Sequence, residues 1–135
     1  MTPNERLAAL SGRWRLLRAI RHADGGSARF SGTATWAPDG LGLRCVEDGM
    51  LEQDGQAFAA RRETLWHATT RGIEVRFADG RPFHRIVGGI CRHDCPPDRY
   101  ELRYDFTAWP RWSVHWCVQG PRKDYKALSR YVKAD

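Results

Sequence analysis

The sequence predicts a mainly β protein, a single antiparallel up-and-down barrel with a short helix at each end of the chain. Three observations predict it: apolar residues recur with a period of two from Ser11 onward, turn signals come about every ten residues, and no strand-like run is followed by a helical crossover. Without crossovers a parallel sheet is excluded. Consecutive hairpins favour a closed barrel, which removes strand edges, over the alternative of a two-sheet sandwich. A chain of 135 residues is long enough to bury one core, so residues 1–135 read as one domain.

The first element, Pro3 to Leu10, starts on proline and carries Leu7, Ala8 and Leu10 as a small apolar stripe, which predicts about two helical turns plugging one barrel end. About eight strands follow, at 12–22, 28–37, 41–51, 56–67, 72–78, 82–90, 98–107 and 111–119. They are divided by Asp24-Gly25-Gly26, Pro38-Asp39-Gly40, Asp54-Gly55, Arg71-Gly72, Asp79-Gly80, Pro96-Pro97 and Trp109-Pro110. In the last segment, Pro121 to Asp135, Tyr125, Leu128 and Tyr131 or Val132 stand at helical spacing, which predicts a short closing helix.

Strand phase points to a site. After Pro97, Tyr100, Leu102, Tyr104 and Phe106 alternate with Arg99, Glu101, Arg103 and Asp105, so the aromatic set must face inward. The same test turns Trp112, Val114, Trp116 and Val118 inward and leaves His115 and Cys117 outside. It also brings in polar residues: Arg18 with Trp14, Leu16 and Ile20; Glu47 with Leu43, Cys45 and Leu51; and Arg62 with Phe58, Ala60, Thr64 and Trp66. A buried charge needs a partner, so Glu47 should pair with at least one arginine, leaving about one net positive charge inside. Two readings stay open: an ion network that satisfies itself and fixes register, or part of a pocket for an anionic guest.

Composition narrows the function classes. The net charge is +6 and the pI near 9.5, yet arginine is scattered along strands, lysine occurs only at Lys123, Lys126 and Lys133, and no nucleic-acid signature is present. No run approaches the roughly 18 apolar residues of a membrane span. The opening MTPNERLAALSGRWR lacks the apolar core of a secretory signal, so the expected setting is the cytoplasm, with Cys45, Cys91, Cys95 and Cys117 reduced.

Two constellations could carry chemistry. Cys91, His93 and Cys95, with His84 upstream and His115 and Cys117 downstream, hold enough nitrogen and sulfur for zinc. No CxxC knuckle is present, however, and His115 and Cys117 fall on the outer face, so the expectation is no metal and thiols that serve as small hydrophobes. His84, His93, Asp98 and Tyr100 are placed to meet at one barrel mouth, and imidazole, carboxylate and phenol suit either acid-base work or holding a polar ligand head. Lys123 and Tyr125, after the Gly120-Pro121 turn, could reach over the same end, although the segment lacks the pattern of a phosphate loop.

Gly12-Arg13-Trp14 after a short helix resembles the G-x-W signature of lipocalin-like (calycin) barrels, a resemblance that implies a tryptophan closing one end under a late basic residue, here Arg130 or Arg122. Nearly the whole chain also resembles a family of bacteria and eukaryotes catalogued as domain-of-unknown-function family 6314. The resemblance is carried by Leu10-Ser-Gly12-Arg-Trp14, Arg18, Glu47-Asp-Gly49, Phe77-Ala-Asp-Gly80 with Phe83-His84, His93-Asp-Cys95 before Asp98-Arg-Tyr100, and Gly120-Pro121-Arg-Lys123-Asp124-Tyr125. Cys45 departs from it, standing where an aromatic is more usual. The resemblance implies a lipocalin-like barrel and no particular activity.

The expected function is binding of a small anionic or polar aromatic molecule inside the barrel. Trp14, Trp66, Tyr104, Trp112 and Trp116 would form walls, Arg18, Arg62 and Lys123 would supply charge, and His84, His93 and Tyr100 would make polar contacts. One alternative is an enzyme using the same pocket, with His93 or His84 as general base, Tyr100 as acid and Arg62 stabilising an oxyanion. A second is a nucleic-acid or protein-binding module that uses the basic outer strands. The sequence names no cofactor and no oligomeric state.

Overall fold

The computed structural model describes residues 1–88 and 90–134, with all their side chains except those of Ile90, Arg92, Asp94 and Cys95. After helix α1 (Pro3–Leu10) come β1 (Gly12–His22), β2 (Ser27–Asp39), β3 (Gly42–Gln53), β4 (Gln56–Thr69), β5 (Gly72–Phe77), β6 (Pro82–Ile86), β7 (Ile90–Cys95), β8 (Asp98–Asp105), β9 (Trp112–Gln119) and β10 (Asp124–Lys133). All pair antiparallel in one sheet ordered β6-β5-β4-β3-β2-β1-β10-β9-β8-β7. The sheet curls until β6 and β7 lie side by side, so the barrel is nearly closed, with a seam where no ladder joins them among the described residues.

The C-terminal segment differs from expectation. Residues 124–133 form a strand, not a helix, and pair with β1 from Trp14↔Lys133 to His22↔Tyr125 and with β9 on the other side. The reason is physical: both neighbours would otherwise present open edges, and Tyr125, Ala127, Ser129 and Tyr131 also alternate with period two, giving this strand an inward face. The expected strand 82–90 likewise ends at Ile86, and a separate β7 pairs with β8, setting His93 directly opposite Tyr100.

Helix α1 plugs the lower end. Its start is set by a capping box in which the Thr2 hydroxyl accepts from the Glu5 N–H and the Glu5 carboxylate accepts from the Thr2 N–H. Its last turn is tied to the barrel where the Trp14 indole donates to the Leu10 carbonyl at 2.8 Å, and Leu7 and Leu10 enter the core. The basic group over Trp14 is Lys133, whose Nζ lies 4.6 Å from the ring centroid. Arg130 falls in the outward phase of β10 and Arg122 in the exposed turn before it, so neither can take that place. Above this floor Trp36, Trp66, Trp112 and Tyr131 fill the lower half of the barrel, with Trp112 stacked on Tyr131 at 3.8 Å. At the other end, Asp54 (φ 54°) and Gly55 (φ 75°) take left-handed conformations in the two-residue turn that joins β3 to β4.

Candidate functional site

The upper half of the barrel holds a cavity of about 280 Å³. Ile20 and Arg18 of β1, Phe30 of β2, Leu51 and Glu47 of β3, Arg62 of β4, Trp116 of β9, and Tyr125 and Ala127 of β10 contribute to its wall, all from the inward phase of their strands. Most of the lining is apolar, and the charged groups gather at its base.

At that base Glu47 is buried and meets Arg18 in a two-pronged pair, with Nη1 to Oε1 and Nη2 to Oε2 both at 3.0 Å. Arg18 Nε donates to Ser129 Oγ at 2.6 Å. Arg62 Nη2 reaches the same carboxylate at 3.1 Å from Oε1, and the Tyr131 hydroxyl donates to Oε2 at 3.4 Å. Burial alone would raise the Glu47 pKa, but the charges of Arg62 and Arg18 override it and hold the group at about 2. For Arg18 burial opposes the charge, and Glu47 more than compensates, so the guanidinium stays protonated.

The two arginines differ in freedom. The Arg18 side chain is 12% exposed and that of Arg62 is 42%, so Arg18 is locked in place while Arg62 faces the cavity with Glu47 as its hydrogen-bond partner among the described residues. Arg62 also lies 4.8 Å above the Trp116 ring, whose face anchors the guanidinium. With one carboxylate against two guanidiniums, the cluster keeps one net positive charge at the cavity wall.

The structure separates the other predicted residues by depth. Trp14, Trp66 and Trp112 belong to the packed lower core and give the upper cavity no wall, and Tyr104 is buried with them. His84 lies in the interior, where its Nε2 meets the Tyr104 hydroxyl at 2.8 Å. Burial, with smaller contributions from Arg62 and His93, lowers its pKa to about 3 and makes it a weak base. His93, Tyr100, Asp98 and Lys123 cluster at the upper rim. Lys123 Nζ donates to the Tyr100 hydroxyl at 3.1 Å and sits 3.5 Å from Asp98, and the His93 and Tyr100 rings lie 6.0 Å apart. Gly120 permits this approach, since a Cβ there would collide with the Asp98 carboxylate. Phe83 stands between the layers, in ring contact with His84, His93, Tyr100 and Trp116.

Among the described residues no group of three or more His, Cys, Asp or Glu side chains is arranged to hold a metal ion. The Cys95 side chain lies outside the described residues. Ser129 and Tyr131 are partners of the ion cluster that the sequence reading missed, and the signal that could have found them is the alternation in β10.

His84 gives a pH-dependent prediction. Its folded pKa, about 3, lies below the ordinary histidine value near 6.5, so between these values the unfolded chain binds a proton that the folded chain does not. Stability is therefore full above pH 6.5 and lost as pH falls. Urea titrations of wild type and His84→Gln should diverge by about 1.4 kcal/mol per pH unit below about pH 6, with the wild type showing the steeper loss. Parallel curves would place His84 in contact with water.

A nearly closed antiparallel barrel, plugged by an N-terminal helix and open at the other end to a largely apolar cavity with a charged base, is a calycin-like barrel. The chain belongs to the family of unknown function DUF6314, whose model matches residues 10–133. Among solved structures it is similar to the S-type phycobiliprotein lyase CPES from Guillardia theta, with a TM-score of 0.72 and 12% identity over 100% of this chain and 94% of that one. At that identity the likeness is one of fold. No curated protein matches the sequence. Among the described residues no helix is long and apolar enough to cross a membrane.

Proposed function

We propose that the protein binds a small, flat, anionic molecule in the upper cavity, with the anionic group on Arg62 and the ring against Trp116, Phe30 and Tyr125. The observation that carries this reading is the unequal sharing of Glu47. Arg18 occupies both carboxylate oxygens in a locked pair, while the half-exposed Arg62 keeps donors facing the cavity. An ion network that only fixed register would have no need of a second, half-exposed guanidinium beside an apolar cavity. A barrel of similar fold serves a phycobiliprotein lyase. The free thiols Cys45, Cys91 and Cys117 fit a cytoplasmic setting.

The rim cluster of Lys123, Tyr100, Asp98 and His93 would contact whatever part of the guest protrudes. The acid-base alternative rests on His93, since His84 is a weak base engaged with Tyr104.

The test is calorimetric titration with 1-naphthoate, a flat aromatic carboxylate. Saturable binding is expected, and Arg62→Gln should weaken it about tenfold by removing one charge-assisted hydrogen bond. Binding that is absent, or unaffected by both Arg62→Gln and Trp116→Phe, would overturn the reading.

A further inference from the structure

The lower end of the barrel holds a second cavity, at the opposite end from the Arg62 site. Its volume is about 510 Å³, and it lies between the start of α1, the β4–β5 turn, the end of β6 and the segment after β8. Ile73, Ile86, Val87 and Phe106 give it apolar walls, the Arg6 and Arg71 side chains each give it a positive charge, and among the described residues no carboxylate lines it.

Arg6 is held by rings and not by an ion. Its guanidinium carbon lies 4.2 Å from the Phe106 ring centroid and 4.7 Å from that of Trp109. The Nη1 atom is shielded from solvent and has no hydrogen-bond partner among the described residues. The carboxylate nearest in sequence, Glu5, is turned back onto the Thr2 N–H in the capping box and does not reach the cavity lining. The Arg71 side chain, on the exposed β4–β5 turn, likewise has no described hydrogen bond or ion pair.

The side-chain hydroxyls of the lining are already engaged, that of Thr2 by the Glu5 N–H. The Tyr104 hydroxyl is bonded to His84, and the Thr107 hydroxyl donates to Asp105. Two guanidiniums therefore remain, in a recess whose other surface is largely aliphatic and aromatic. A small hydrated anion would have to shed water against Ile73, Ile86 and Val87 without replacing it, whereas an anion with an apolar tail satisfies both surfaces.

We propose that this lower cavity binds an amphipathic carboxylate, its head on Arg6 and Arg71 and its tail against Ile73, Ile86 and Val87. A carboxylate matches the planar fork of a guanidinium that Phe106 and Trp109 hold at the cavity wall.

Octanoate is the probe, titrated into tag-free protein while the arginine side-chain Nε–H signals are followed by NMR. A saturable shift of the Arg6 and Arg71 signals is expected. Arg71→Gln, at an exposed position, should lower octanoate affinity about tenfold by removing one charge-assisted contact, and Arg6→Met should abolish the response. Arg62→Gln, at the upper cavity, should leave it unchanged, which separates this site from the one proposed above. The proposal is overturned if octanoate produces no saturable shift, if Arg71→Gln binds it as tightly as wild type, or if inorganic phosphate gives the same shifts at equal affinity. If Arg6→Met fails to fold, the Arg71→Gln comparison decides alone.

Discussion

Replacing Glu47 with alanine is expected to destabilise the fold by about 3 to 5 kcal/mol, because it removes the sole carboxylate from a cluster of two guanidiniums and leaves Arg18 buried and charged. Arg62, at 42% side-chain exposure, can turn to solvent, but Arg18, at 12%, cannot. The Ser129 hydroxyl is a neutral partner and does not replace the charge. Glu52→Ala, at an exposed outward position on the same strand, should change stability by less than about 0.5 kcal/mol. Urea denaturation of the two variants measures the contrast, and equal small losses would mean that the carboxylate is not needed to hold the arginines. The pH dependence has a definite sign. Glu47 titrates at about 2 in the fold, below the ordinary value of 4.5, so its stabilisation is complete above pH 4.5 and lost as pH falls toward 2. Wild type should show that loss, and Glu47→Ala should not.

Trp14→Ala is expected to cost about 3 to 5 kcal/mol, at the upper range for single core truncations. Trp14 is fully buried, meets the rings of Trp109 and Trp112 edge-on or tilted, and carries Lys133 over its face. It is also the hydrogen-bonded link between β1 and the last turn of α1. Truncation would open a large cavity at the barrel floor and release the helix, so amide exchange in α1 should quicken more than in the central strands. Trp14→Phe, which keeps most of the packing and loses the indole donor, should fall between wild type and alanine. A Trp14→Ala protein within about 1 kcal/mol of wild type would show that the lower core repacks around the loss.

Where polarity contrast between alternate residues is strong, the inward faces were legible in the sequence. In β8 every outward residue from Arg99 to Asp105 is charged and every inward one is apolar or aromatic, and the structure follows that alternation. The same contrast placed Arg18, Glu47 and Arg62 on one interior, where they do meet. In β10 the inward set is Tyr125, Ala127, Ser129 and Tyr131, and the two small residues weaken the apolar signal enough for Tyr125, Leu128 and Tyr131 to mimic a helical stripe. Ser129 and Tyr131 were lost to the site with it.

The sequence by itself determined the barrel class, the plug helix and, in the strands whose polarity alternates strongly, which side chains face inward, because inward or outward is a local property of the pleat. Only the tertiary structure decided height along the barrel axis. Trp112 and Trp116 share a strand and a phase, yet one is stacked on Tyr131 in the lower core and the other lines the upper cavity beneath Arg62. Likewise His84 and His93, both candidates for one mouth, ended with the first buried against Tyr104 and the second at the rim beside Tyr100. Height depends on the register between strands distant in sequence and on where the curled sheet meets itself, and neither is written in the alternation of a single strand.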